Sequence, residues 1–363
     1  MLKRLAFVSA ALAATVFAAQ PAVAATTQDP VRKDLANLVA EGFPGALAVV
    51  RDEHGRVRKL TAGVGDIATG RPVPADGQVR IGSNTKTFVA VVMLQLVAEH
   101  RVRLDDPVEK YLPGLLHGQR ITVRQILQHT SGLPNYTEFL PDDLSVRYQH
   151  FEPHQLLDIA LAQPPVFPPG TSWAYSNTNY IVAGLIVERV TGHTLEQQID
   201  QRVIRKAGLR HTYFPVDGET GIRERHPEGY MTGEDGELLD ITDLDPSWGW
   251  AAGQMIATPS DLNAFFSALI HGKLLPKAEL AEMERTVPAD LFPGARYGLG
   301  LISFPLSCGG VAWGHGGDIP GYETRTEVTM DGRAATVAVT AMPQSEEAAM
   351  DVLGTVDDAL CES

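Results

Sequence analysis

Apolar positions crowd the stretch Thr87-Phe88-Val89-Ala90-Val91-Val92-Met93-Leu94 on every side of a helical projection, which predicts a helix buried almost all round and fading near His100. Clearer periodicities precede it. Residues 31–41 read as a helix interrupted by Phe43-Pro44-Gly45. Residues 46–50 and 57–63 read as two strands joined across Asp52-Glu53-His54-Gly55, a hairpin signal. A loop rich in Gly and Pro (70–77) then leads through Val79-Arg80-Ile81 into the buried helix.

From Leu104 to about Leu291 the alternation of strands is mostly missing, and helical segments separated by Pro and Gly take over. Residues 122–128, 153–161 and 179–190 are three of them, the last ended by Thr191-Gly192. Thr258-Pro259-Ser260-Asp261 supplies a capping residue, a first-turn proline and an acid at N3, and opens a helix running to Leu269. Strand patterns return at 297–304, 310–313, 324–330 and 334–341, with Asp331-Gly332-Arg333 as a tight turn, and a helix over 345–360 closes the chain. Strands at both ends with helices between predict an α/β (α+β) fold. Its α/β part covers about 25–100 and 292–363, and an all-helical insertion covers about 101–291.

The composition, 363 residues with 44% hydrophobic and 20% charged, suits a soluble globular protein of one large or two medium domains. Residues 1–24 read differently. Lys3 and Arg4, an apolar run over 5–19 and Ala22-Val23-Ala24 make a secretory signal peptide cleaved near Ala24. The run is shorter than the roughly 20 residues of a membrane span, and the first cysteine is Cys308, so neither a stable membrane anchor nor a lipoprotein is expected. Loss of Lys3 and Arg4 moves the formal charge from −14 to −16, which leaves no basic face for nucleic acid. In a secreted chain Cys308 and Cys361 predict a disulfide, which would stabilise the fold by about 4 kcal/mol; two separate thiols are the alternative.

Ser83 stands where Gly82 gives way to the apolar run, and Lys86 follows one helical turn later on the same face, a nucleophile beside a base. In the first turn, free backbone N–H groups favour developing negative charge. About one Ser-x-x-Lys is expected by chance in a chain this long, so the pair needs partners. Tyr175-Ser176-Asn177, after Pro168-Pro169-Gly170, offers a proton carrier and a carboxamide for a substrate amide, or a merely structural loop. His315-Gly316-Gly317-Asp318 follows a predicted strand ending in Trp313-Gly314. Its glycines would let a substrate backbone approach and an N–H complete an oxyanion hole; a plain glycine turn with an incidental His is the alternative. No G-x-S-x-G occurs, and Gly170-Thr171-Ser172-Trp173-Ala174 does not follow a clear strand, which excludes a nucleophile elbow.

In this order and spacing the chain resembles the penicillin-recognising serine hydrolases, meaning the secreted actinomycete D-alanyl-D-alanine carboxypeptidases and the class C β-lactamase-like family. The likeness includes Leu104-Asp105-Asp106-Pro107, Tyr111-Leu112-Pro113, Ile121-Thr122-Val123-Arg124, His129-Thr130-Ser131-Gly132-Leu133, Asn179-Tyr180 and Tyr297-Gly298-Leu299-Gly300, and it spans nearly all of the mature chain. It implies a β-lactamase/transpeptidase-like fold, an antiparallel sheet flanked by helices. It also implies Ser83 as acylated nucleophile, Lys86 as its activator, Tyr175 as proton shuttle and His315 where relatives carry Lys or His. Asn177, Trp248, Gly316, Gly317 and Asp318 would bind substrate, and the N–H groups of Ser83 and Asp318 would form the oxyanion hole. No metal or cofactor is implied; the partner is a small peptide or β-lactam-like substrate.

The expected activity is that of a secreted acyl-serine hydrolase of the D-alanyl-D-alanine carboxypeptidase type. A β-lactamase or a D-amino-acid amidase or esterase on the same scaffold is the alternative. A non-catalytic penicillin-binding sensor would not need Ser83, Lys86 and Tyr175 together. Relatives of the carboxypeptidase type bind the substrate carboxylate with Thr at the positions of Gly316 and Asp318 and with Arg at that of Ile302. Two like charges about 5 Å apart at an effective dielectric of 20 repel by roughly 3 kcal/mol, about a hundredfold in affinity. A free carboxylate is therefore expected to bind poorly beside Asp318 unless Arg325 compensates.

Overall fold

The structure, a computed structural model, describes residues 29–141, 144–233 and 235–361, so the predicted signal peptide lies outside the described residues. Helix α1 (Pro30–Ala40) starts with proline at its first turn and buries Val31, Leu35 and Leu38, one stripe at helical spacing. Strands β1 (Gly45–Arg51) and β2 (Val57–Asp66) form the expected hairpin, followed by β3 (Arg71–Pro72) and β4 (Val79–Arg80). A 3-10 turn (Gly82–Asn84) feeds α2 (Thr85–Ala98), which is buried from Thr85 through Leu96.

Helices α3 (Val123–Leu127), α4 (Pro153–Leu161), α5 (Asn177–Thr191), α6 (Leu195–Ile199) and α7 (Arg205–Ala207) come next. Short strands β5 (Tyr230–Thr232) and β6 (Leu238–Asp240) precede α8 (Trp250–Gly253), β7 (Ile256–Ala257), α9 (Pro259–Ile270) and α10 (Lys277–Met283). As expected, the Thr258 side chain caps α9 by accepting from the Asp261 N–H. The last part holds β8 (Val287–Pro288), β9 (Arg296–Tyr297), β10 (Ile302–Pro305), β11 (Val311–Ile319), β12 (Tyr322–Val328), β13 (Ala334–Val339) and α11 (Glu346–Cys361).

Nine of these strands make one antiparallel sheet in the order β3-β2-β1-β13-β12-β11-β10-β9-β8. The two ends of the chain meet at its centre, where Ala46 of β1 lies opposite Val339 of β13. One face packs on α1 and α11 through a core of Leu35, Leu38, Val50, Val337, Val352 and Val356. The other face packs on the core built around α2, in which Phe88 stacks on Phe265 of α9. Cys308, in the β10–β11 turn, is disulfide-bonded to Cys361 at the end of α11.

Three expectations need correction. The stretch 101–291 is not purely helical: it contains β5, β6, β7 and β8, each too short at two or three residues to show alternation. The strand expected over 297–304 is broken between β9 and β10, because a tight turn there lets Gly298 N–H bond the Leu301 carbonyl. The strand expected to end near Trp313 continues to Ile319, so His315, Gly316, Gly317 and Asp318 lie inside β11 rather than in a turn after it.

Candidate active site

Strand β10 pairs with β11 only between Val311 and Gly314, which leaves the edge of His315 to Ile319 without a strand neighbour on that side. The Gly82–Asn84 turn packs against that free edge. A Cβ on Gly317 would lie 1.9 Å from the Ile81 carbonyl oxygen, and one on Gly82 would lie 2.8 Å from the Asp318 nitrogen, so both positions need glycine for close backbone approach. Gly82 also takes φ +46, a left-handed conformation that other residues rarely adopt. Asn84 fastens the turn by donating to the Ile81 carbonyl at 3.0 Å and to Thr324 Oγ1 of β12 at 2.8 Å. Ser83 thus sits between the start of the buried helix and a strand edge.

Lys86 is fully buried, and its Nζ lies 2.8 Å from Ser83 Oγ, 2.7 Å from Asn177 Oδ1 and 2.8 Å from the Ala252 carbonyl. Burial pushes its pKa well below the usual lysine range, with Asp318 opposing the fall. The Ala252 carbonyl comes from α8, where Trp250 is held at φ +29, a strained value for a tryptophan. Asn177 is oriented in turn: its N–H donates to Asn135 Oδ1 at 3.0 Å and its Nδ2 to Thr137 Oγ1 at 3.2 Å. The Ser83 side chain lies close enough to act on the Tyr175 hydroxyl, and Lys86 Nζ lies 4.8 Å from the Tyr175 ring centroid. Burial raises the Tyr175 pKa well above the usual phenol range, so the hydroxyl keeps its proton at neutral pH.

A buried hydrogen-bond chain runs behind these groups. The Ser176 N–H donates to His129 Nδ1 at 3.2 Å, which leaves the proton of a neutral His129 on Nε2. That N–H meets Tyr297 Oη at 3.2 Å, Tyr297 donates to His315 Nε2 at 3.0 Å, and His315 Nδ1–H reaches the Gly316 carbonyl at 2.6 Å. Each tautomer is assigned from the donor before it. Burial and the nearby Lys86 hold His315 down to about 3 and His129 well below its usual range, so both imidazoles are neutral. His315 therefore has no proton to spare as a general acid at pH 7.

Of the residues singled out in the sequence, Ser83, Lys86, Tyr175, Asn177 and His315 come together here with the backbone of Gly316, Gly317 and Asp318. Trp248 lines an adjoining cleft of about 270 Å3 with Thr137, Leu140, Val146, Met231 and Leu244. Its carbonyl accepts a hydrogen bond from Tyr136. Thr137 joins cleft and site, since Asn177 donates to it. Asn135, Thr137 and the Ala252 carbonyl were not anticipated; a main-chain acceptor leaves no trace in residue type. Among the described residues no group of three His, Cys, Asp or Glu side chains could hold a metal ion.

A sequence profile of the family described as Beta-lactamase matches residues 31–357. Among solved structures, a D-stereospecific amidohydrolase from Streptomyces sp. is 39% identical, superposes with a TM-score of 0.83, and covers 92% of this chain and 98% of its own. The D-amino acid amidase from Ochrobactrum anthropi SV3 complexed with L-phenylalanine amide is 26% identical with a TM-score of 0.79, over 91% of this chain and 98% of its own. The putative penicillin-binding protein PbpX of Bacillus subtilis (strain 168) is 31% identical over 71% of this chain, which spans 60% of that relative's length.

Proposed function

The chain belongs to the Beta-lactamase family and is a serine hydrolase, and from that premise we propose that it cleaves amides and esters of D-amino acids through an acyl-enzyme on Ser83. The observation that carries the chemistry is Lys86 Nζ at 2.8 Å from Ser83 Oγ in a fully buried setting. Burial favours the neutral amine, which takes the Ser83 proton as Oγ bonds to the substrate carbonyl carbon. The carbonyl oxygen becomes an oxyanion facing the N–H groups of Ser83 and Asp318. Tyr175 gives its proton to the leaving nitrogen or oxygen as the scissile bond breaks, and Lys86 restores it over the shared Ser83 oxygen. Water then attacks the ester carbonyl, loses a proton to the same pair, and Ser83 Oγ leaves reprotonated.

The D-amino-acid reading rests on the likeness to the D-stereospecific amidohydrolase over 92% of the chain and on an apolar cleft able to receive an acyl side chain. It favours the amidase alternative over the carboxypeptidase, since the free strand edge carries Asp318 in place of a carboxylate-binding hydroxyl. The test is hydrolysis of D- and L-phenylalanine amide with intact-mass detection of the acyl adduct. The D-enantiomer should turn over faster, and Ser83→Ala should abolish both turnover and adduct. An adduct that survives the substitution would refute the nucleophile assignment.

A further inference from the structure

Gly316 has no side chain because Arg325 fills the space. A Cβ at 316 would lie 2.9 Å from Arg325 Nη1 and 3.3 Å from its Cδ. The guanidinium reaches past Gly316 from β12, and its Nη1 donates to Asp318 Oδ1 at 2.7 Å and to the Thr324 carbonyl at 3.0 Å. Nη2 lies 2.6 Å from Glu323 Oε1, and the face of Phe292 lies 5.8 Å from the guanidinium carbon. Arg325 is 5% exposed and Glu323 fully buried, whereas half of the Asp318 side chain is open to solvent. The cation therefore faces inward, and the carboxylate faces out. Arg325 therefore offers a ligand little of its surface: Nη1 is taken up by Asp318 and the Thr324 carbonyl, Nη2 is paired with Glu323, and Nε is buried.

Asp318 is also the carboxylate whose charge reaches Lys86, and it touches the nucleophile turn through its backbone nitrogen. His129 and His315 are neutral, so Asp318 and its buried partner set the electrostatics of this edge. We propose that Asp318, held by Arg325 across Gly316, is the specificity-determining residue on the leaving-group side of the cleft, directing the enzyme to acyl amides and esters whose leaving group carries no carboxylate. The inference rests on Ser83 being the acylated residue. Pairing with Arg325 turns a bare charge into an oriented dipole, which lowers the hundredfold penalty of an isolated carboxylate to on the order of tenfold.

The two partners make opposite predictions, which a merely structural role would not. Take an N-acyl-D-alanyl-D-alanine and its C-terminal amide, and measure kcat/KM for both. The wild-type enzyme should favour the amide by about tenfold. Asp318→Asn leaves Arg325 facing only Glu323 and should remove or invert the preference, whereas Arg325→Met bares Asp318 and should widen it toward about a hundredfold. Circular dichroism of both variants establishes folding, and Asp318→Glu should retain the wild-type preference. Equal ratios in the wild type and Asp318→Asn, with a Ser83 adduct formed from both substrates, would overturn the selection while leaving the hydrolase reading intact. Absence of any Ser83 adduct would instead overturn the hydrolase reading.

Discussion

Among the described residues the Tyr297 hydroxyl joins His129 to His315 in the buried chain, bonding both rings. Replacing Tyr297 with Phe leaves one imidazole N–H without an acceptor and one imidazole nitrogen without a donor, each costing about 1–3 kcal/mol. Tyr297→Phe should therefore lower unfolding stability by about 2 kcal/mol or more in urea titration; a change within about 0.5 kcal/mol would mean that the chain is not formed as drawn. Ser83, Lys86, Tyr175 and Asn177 were legible because their chemistry depends on residue type at short, regular spacings. Arg325 was legible only as a cation that could offset Asp318. What hid its direction is that a guanidinium can cross from one strand to the next, and no one-dimensional spacing records which way it crosses.

At the scale of elements, α4 was read to the residue and α1, α2, α9 and α11 to within a residue or two, because periodic apolar stripes and caps mark them. Strand β11 was cut short because Gly314, Gly316 and Gly317 resemble a turn when only local propensity is considered. In the fold Gly314 and Gly317 are glycines because neighbouring backbone lies too close for a side chain, and Gly316 because the Arg325 side chain occupies the space. Gly317→Ala puts this to the test: the added methyl would meet the Ile81 carbonyl, Thr324 Oγ1 at 2.7 Å and Asn84 Nδ2 at 2.8 Å. Since the Ser83 turn must then move by a large fraction of an ångström, kcat/KM should fall by about a hundredfold, with the fold preserved by circular dichroism. Undiminished activity would show that the turn does not depend on contact with β11.

Across the whole molecule, the sheet face toward α11 buries carboxyl groups. Burial, with Asp357 adding to it and Arg325 opposing, raises Glu327 to about 8, and burial likewise raises Glu323 to about 7. Both folded values exceed those of an unfolded chain, so the folded state keeps these protons longer. Their contribution to stability is full below about pH 4.5 and is lost as pH rises through 7 to 8. Unfolding free energy should therefore decline by a few kcal/mol between pH 5 and pH 8.5, and Glu327→Gln, neutral throughout, should flatten that decline. Parallel slopes for the two proteins would show that Glu327 is already ionised in the fold. The same sheet also governs how the protein comes into being. Gly45 bonds Thr340 across a separation of 295 residues, so the central pairing of the sheet brings together segments synthesised almost a whole chain apart. Contacts this distant in sequence make folding slow and leave unpaired strand edges exposed while it proceeds. A nascent chain can have finished the Ser83 helix while still lacking the β11 edge that helix needs, so nucleophilic competence arrives with the last strands rather than with the nucleophile itself.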